Sequence, residues 1–77
     1  MKVSYKKLWI LLAQREMSKV ELRKLAGISP ATFTKLCRNQ EVALSILLKI
    51  AEVLDCDAGD IISFVKDDAP ILMDEEI

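Results

Sequence analysis

The 77-residue sequence has no histidine and only two cysteines, two glycines and two prolines. Without histidine the chain lacks the commonest general base, and two glycines cannot build a Gly-rich phosphate loop, so we expect no enzyme activity. Cys37 and Cys56 fit neither a zinc-site spacing nor a CxxC redox pair. We therefore predict no metal and no cofactor, and we expect both cysteines to be reduced thiols in the core of a cytoplasmic protein.

Long apolar runs are also absent. The longest uncharged apolar run, Leu8 to Ala13, is far below the roughly 20 residues that a membrane-spanning helix needs. Gln14, Arg15 and Glu16 follow this run, where a signal peptide would carry a small-residue cleavage site, so we expect no signal peptide. With 52% hydrophobic residues, the chain has enough apolar side chains for one small domain.

Charge divides the chain into two parts. Residues 1–41 carry nine Lys/Arg and three Asp/Glu, a net +6, and residues 42–77 carry two Lys/Arg and nine Asp/Glu, a net −7. This asymmetry fits a domain with one phosphate-facing side, and equally a solvated surface whose charges are merely segregated. Residues 67–77 hold five carboxylates and no cation. We predict a domain over 1–66 and an acidic tail over 67–77 that is disordered or bound to a partner protein.

Apolar spacing predicts five helices and almost no β-structure. Helix 1 is expected from about Ser4 to Arg15, helix 4 over 44–54, and helix 5 from Ala58 to about Phe64. The predicted inward-facing residues of these three helices are Tyr5, Leu8, Trp9, Leu12, Leu44, Leu47, Leu48, Ala51, Leu54, Ile61, Ile62 and Val65.

Helices 2 and 3 have clear boundary signals. Ser18 and Glu21 have the spacing of a capping box, and Gly27 suits the left-handed end of helix 2. Ser29 followed by Pro30 is typical of a helix start. A short helix, a glycine turn and a second capped helix form the layout of a helix-turn-helix. The predicted inward-facing residues are Leu22, Leu25, Ala26, Phe33, Leu36 and Cys37.

The outer face of helix 3 carries small, polar and basic side chains, which suit the DNA major groove. We predict that bases are read by Ala31, Thr32, Thr34 and Lys35. We predict that backbone phosphates are bound by Ser18, Lys19, Ser29, Arg38 and Asn39. Two alternatives stay open: the serines can act as helix caps alone, and the Lys35 and Arg38 charges can be ordinary solvated charges.

Several short segments resemble one family, the lambda-repressor-like, Cro-type helix-turn-helix regulators, and in particular small bacterial and phage members. The resemblance covers about residues 3–65. It is carried by Leu8-Trp9…Leu12, Ser18-Lys19…Leu22, Gly27-Ile28-Ser29, Thr32, Leu44…Leu47-Leu48-Lys49-Ile50…Leu54-Asp55-Cys56-Asp57 and Gly59-Asp60-Ile61-Ile62.

The resemblance implies an all-α, five-helix domain whose helix 3 enters the major groove, usually as a homodimer on a palindromic operator. The sequence departs from the family pattern at Arg23, where a small alanine is common, and at Ala43, where a serine often caps helix 4. We expect the dimer surface to come from helix 5 and Ile71-Leu72-Met73, since helices 2 and 3 must stay accessible to DNA.

The function that these observations favour is sequence-specific binding of double-stranded DNA by a nucleoid-associated regulator, a repressor in this interpretation. The alternative is a protein-interaction module such as an antitoxin, in which the acidic tail binds a partner protein.

Overall fold

The computed structural model describes residues 1–66, and within them it contains four α-helices, one 3₁₀ turn and two short strands. In chain order these are β1 (Lys2–Ser4), α1 (Lys6–Gln14), α2 (Lys19–Ala26), α3 (Pro30–Cys37), α4 (Leu44–Leu54), the 3₁₀ turn (Ala58–Asp60) and β2 (Ser63–Val65). None of the helices in this part of the chain is long and apolar enough to cross a membrane. The predicted acidic tail, 67–77, lies outside the described residues.

The 3₁₀ turn and β2 occupy the segment predicted to form the fifth helix. Strands β1 and β2 pair antiparallel, with Lys2 opposite Val65, Val3 opposite Phe64 and Ser4 opposite Ser63. The predicted helical, helix-turn-helix fold is confirmed in the four α-helices, whereas the predicted helix from Ala58 to Phe64 is wrong and the fold includes a short sheet. β-branched and aromatic side chains favour extended backbone, but each strand has only three residues and its partner lies at the other end of the domain. Local periodicity could not reveal that pairing.

Helix α1 starts at Lys6 and not at Ser4, because Ser4 belongs to β1. Tyr5 precedes the helix and is buried. Its backbone N–H donates to Asn39 Oδ1 at 3.0 Å, and its hydroxyl donates to the Gln40 carbonyl at 2.7 Å. Both bonds fasten the loop after α3 to the start of α1, so Tyr5 does more than fill the core.

The predicted ends of α2 and α3 are confirmed. The Ser18 hydroxyl accepts the Glu21 N–H, and a Glu21 carboxylate oxygen accepts the Ser18 N–H. Gly27 ends α2 at φ 67°, a left-handed conformation that glycine adopts without the steric cost other residues meet. Ser29 caps α3 by accepting the Thr32 N–H, with Pro30 at the first helical position. The turn between the two helices is thus specified at both ends.

The core contains side chains from all four helices, from the residue just before α1 and from the residue just after the 3₁₀ turn. Its buried members are Tyr5, Leu8, Leu12, Leu22, Ala26, Ile28, Leu36, Ile50, Leu54 and Ile61. Burial of each large side chain contributes about 1.5–3 kcal/mol relative to leaving it exposed.

Four side chains predicted to face inward are exposed instead, namely Leu25, Cys37, Leu44 and Leu48. In α4 the prediction holds for Leu54 and is wrong for Leu44 and Leu48. The apolar residues of α4 occur on almost every side of the helix, so the sequence did not single out one face. The helix turns Ile50 and Leu54 into the core, and the fully buried Ile50 was not in the predicted stripe.

The two cysteines are free, and they differ in exposure. Cys37 is exposed and Cys56 is half-buried, so the prediction of a core thiol is wrong for Cys37. Burial, followed by the negative charge of Asp60, raises the pKa of the Cys56 thiol. Both effects disfavour the thiolate at this position.

Candidate nucleic-acid interface

Helix α3 brings the four predicted base-reading residues together within two turns. Ala31, Thr34 and Lys35 are exposed, and Thr32 is half-buried. Leu36 anchors the opposite side of the helix in the core. The outer side of α3 is therefore a continuous surface of two small polar side chains, one methyl group and one cation.

Two hydroxyl groups, one on α3 and one at its N-cap residue, already donate to groups of the same helix. The Thr34 hydroxyl donates to the Pro30 carbonyl at 2.9 Å, and the Ser29 hydroxyl donates to Thr32 Oγ1 at 3.1 Å. Thr34 therefore keeps acceptor capacity and a methyl group for a ligand, whereas Thr32 keeps its own O–H as a donor. The two threonines differ in what they can offer to a base edge.

Lys35 and Arg38 supply positive charge at the far end of the helix. Both side chains are exposed, and Arg38 is the C-cap residue of α3. Cations near a helix C-terminus are stabilised by the helix dipole. Among residues 1–66 neither side chain has a hydrogen-bond or ion-pair partner, so both charges are available to an anion.

The starts of α2 and α3 differ as seats for a phosphate. Glu21 lies in the first turn of α2, and its carboxylate takes up the Ser18 N–H. The first turn of α3 holds no acidic residue. Since N–H groups at a helix start attract anions, the start of α3 at Ser29 is the better seat, and the start of α2 depends on Lys19 to attract an anion.

Asn39 has a structural task in addition to any contact with DNA. Its Oδ1 accepts the Tyr5 N–H at 3.0 Å, and its backbone has φ 56°, a left-handed conformation that asparagine tolerates better than most residues. Any contact to a phosphate must therefore use the side-chain N–H₂ group of Asn39.

Comparison with known proteins places this geometry in a family. Residues 7–67 match the family model described as a Cro/C1-type HTH DNA-binding domain. The chain belongs to this family. The resemblance predicted from the sequence is thereby confirmed, and the family is one of DNA-binding transcriptional regulators.

Two similar proteins support the assignment. Over 61 residues, 77% of this chain and 73% of the relative, the chain is 34% identical to an uncharacterized HTH-type transcriptional regulator, YozG, of Bacillus subtilis (strain 168). It is also 52% identical to the transcriptional regulator VanUg, whose crystal structure superposes with a TM-score of 0.84 over 86% of this chain and 88% of that one.

Within this Cro/C1-type domain, sequence reasoning missed the surroundings of Trp9. The Lys19 ammonium lies 4.3 Å from the centre of the Trp9 ring, and the Phe33 ring meets Trp9 edge-on at 6.0 Å between centroids. The three residues come from α1, α2 and α3. Their spacing in the sequence carries no local signal, so only the tertiary structure could reveal the contact.

Lys7 forms a further long-range contact that its place in the sequence does not reveal. Its Nζ donates to the Gly59 carbonyl at 3.2 Å, which links α1 to the 3₁₀ turn. Among residues 1–66, no group of three or more His, Cys, Asp or Glu is arranged to hold a metal ion.

Proposed function

We propose that this Cro/C1-type domain binds double-stranded DNA sequence-specifically, with α3 in the major groove, and acts as a transcriptional repressor. The observation that carries the proposal is the outer face of α3. It combines Lys35 and Arg38, two cations without a hydrogen-bond or ion-pair partner among residues 1–66, with threonine and alanine side chains small enough to let the helix approach base edges.

The bases are read by Ala31, Thr32, Thr34 and Lys35. Ala31 and the Thr34 methyl group suit contact with a thymine methyl. Thr34 Oγ1 accepts hydrogen bonds, which suits the amino group of adenine or cytosine, because its own proton is held by Pro30. Lys35 is long enough to donate to a guanine edge or to a phosphate.

The backbone phosphates are bound by Ser18, Lys19, Ser29, Arg38 and Asn39. The N–H groups at the start of α3 carry the partial positive charge of a helix N-terminus. Phosphate neutralisation of this kind supplies most of the non-specific affinity, and it weakens steeply as salt rises. Where the bound site overlaps a promoter, repression needs nothing further from these residues, because the bound protein excludes polymerase.

The test has two steps: selection of a duplex from a randomised pool, then fluorescence-anisotropy titration of wild type and of Thr34→Ala/Lys35→Ala/Arg38→Ala. We expect wild type to prefer the selected duplex over pooled random DNA and to lose affinity steeply with salt. The variant should lose both the preference and part of the salt dependence. Circular dichroism checks that the variant is folded.

The opposite outcome has a clear meaning. If wild type fails to bind any duplex at low salt, or if the variant binds as well as wild type, the proposal is wrong. A protein-interaction module that uses the acidic segment 67–77 then becomes the better hypothesis.

The proposal includes a homodimer on a palindromic operator, because two recognition helices about 34 Å apart match successive major grooves. The predicted dimer surface is helix 5 together with Ile71-Leu72-Met73; these three lie outside the described residues, so the revision concerns helix 5 alone. Ile61 is buried in the core, whereas Leu44, Leu48 and Phe64 are exposed apolar side chains outside α2 and α3. Sedimentation of wild type and Phe64→Ser at DNA-binding concentrations tests this: a wild-type monomer, or an unchanged dimer in the variant, contradicts the revised surface.

A further inference from the structure

Trp9 occupies the point where the first three helices meet. It lies on α1 and is half-buried, so part of its ring is open to solvent. One face of the ring carries the Lys19 ammonium at 4.3 Å, and the ring also meets Phe33 of α3 edge-on, with an interplanar angle of 70°. A single side chain thus touches both helices of the helix-turn-helix.

Lys19 is in an unusual place for a cation. It is the first residue of α2, next to the N–H groups that give a helix N-terminus its partial positive charge. A lysine at that position is disfavoured by the helix it belongs to. The negative face of an indole ring offsets part of this cost, which explains why the side chain lies on Trp9.

The ring leaves Lys19 able to bind a second partner. A lysine ammonium has three donors, and a ring on one side cannot satisfy those directed elsewhere or neutralise the charge. Within residues 1–66 the Lys19 ammonium has no carboxylate or carbonyl partner. The charge is therefore held in a defined position and remains open on its solvent side.

We propose that Trp9 is a positioning residue for DNA binding: it holds the Lys19 ammonium at the start of α2 for a backbone phosphate. Because the same ring also contacts Phe33, the position of this phosphate contact depends on the position of α3. This inference rests on the proposed function and goes beyond it, since Trp9 is not among the residues proposed to contact DNA.

The experiment is a double-mutant cycle measured by anisotropy on pooled random duplex at low salt. Trp9→Leu removes the ring face, Lys19→Met removes the charge but keeps the stem, and Arg38→Ala is the matched control at a phosphate contact away from Trp9. We expect Trp9→Leu to weaken binding about threefold, to add nothing in the Lys19→Met background, and to keep its full effect in the Arg38→Ala background.

Two further readouts separate positioning from folding. Trp9→Phe keeps an aromatic face and should recover most of the affinity lost in Trp9→Leu. Because Trp9 is the only tryptophan, its emission should change when DNA is added to wild type and change much less in Lys19→Met.

The outcomes are distinguishable. Failure of wild type to bind DNA overturns the proposed function. Binding by wild type with an equal loss from Trp9→Leu in the presence and absence of the Lys19 charge overturns the inference alone, because Trp9 then acts only through the fold.

Discussion

Helices α2 and α3, which lie in the first 41 residues, begin in a different way from α4, which lies in the rest of the described chain. Helices α2 and α3 each begin with a serine side chain that caps the helix, whereas α4 begins after Ala43 with no side-chain cap. Residues 1–41 carry nine cations and three carboxylates, and residues 42–66 carry two cations and four carboxylates.

This difference follows from what holds each helix in place. Helices α2 and α3 keep a polar surface, so hydrogen bonds at their ends specify where they begin. Helix α4 instead places Ile50 and Leu54 fully in the core, and tertiary packing of that kind stabilises a helix that lacks a cap. The polar surfaces of α2 and α3 are suited to binding, whereas α4 is held in place by its core contacts.

The sharpest test removes two cations from each region. Lys35→Ala/Arg38→Ala should weaken binding to duplex DNA at least tenfold at low salt. It should reduce the slope of log K against log salt by about 0.9 to 1.8, because Arg38 loses a phosphate contact and Lys35 is long enough to reach a phosphate as well as a guanine edge. Anisotropy titrations at several salt concentrations measure both quantities.

Lys49→Ala/Lys66→Ala is the matched control, since it removes the same charge from the acidic region. It should change the affinity less than twofold by the same charge-location argument. Equal losses in the two double variants would mean that net charge, and not the α3 surface, governs binding.

The second test removes the side-chain cap of α3 in one variant and adds a cap to α4 in another. Ser29→Ala should lower the free energy of unfolding by about 1 kcal/mol, since the Thr32 N–H loses its partner. Ala43→Ser should raise it by roughly 0.5–1 kcal/mol by supplying the cap that α4 lacks. Urea unfolding measures both; an Ala43→Ser variant no more stable than wild type would show that packing alone fixes the start of α4.

The contrast also explains how far sequence reasoning reached. The starts and the turn of α2 and α3 were predictable because Ser18, Glu21, Gly27 and Ser29 act within four residues of their partners. The β1–β2 pairing and the Trp9–Lys19 contact were not, because their partners are distant in sequence. Helix α4 was located correctly, but its apolar residues surround the helix and could not indicate that Ile50 faces inward.

The third test concerns Tyr5, which is hydrogen-bonded to Asn39 and Gln40 near the boundary between the two regions. Tyr5→Phe removes the hydrogen bond to the Gln40 carbonyl and should cost about 1 kcal/mol of unfolding free energy at pH 7. Burial, and then the charge of Glu41, raises the pKa of the Tyr5 hydroxyl. The wild type therefore has this stability in full below the ordinary tyrosine pKa of about 10 and loses it as pH rises through the higher folded value.

Urea unfolding of both proteins between pH 7 and pH 11 measures this dependence, and their difference cancels the titration of the lysines. The advantage of wild type over Tyr5→Phe should shrink as the pH passes 10. A constant advantage across this range would contradict the assigned role of the hydroxyl.

The smallest expected effect concerns residues 67–77, which carry five carboxylates and no cation. Removing this segment should strengthen binding to random duplex about two- to threefold at low salt, because like charge repels DNA and competes for the cations of 1–41.

A full-length variant with the five carboxylates changed to amides separates charge from chain length. If charge acts, both variants bind more tightly, and the gain disappears near physiological salt, where charges more than about 8 Å apart are screened. Unchanged affinity in both variants at low salt would mean that residues 67–77 do not affect DNA binding. A gain on truncation alone would mean that the segment blocks DNA by its bulk.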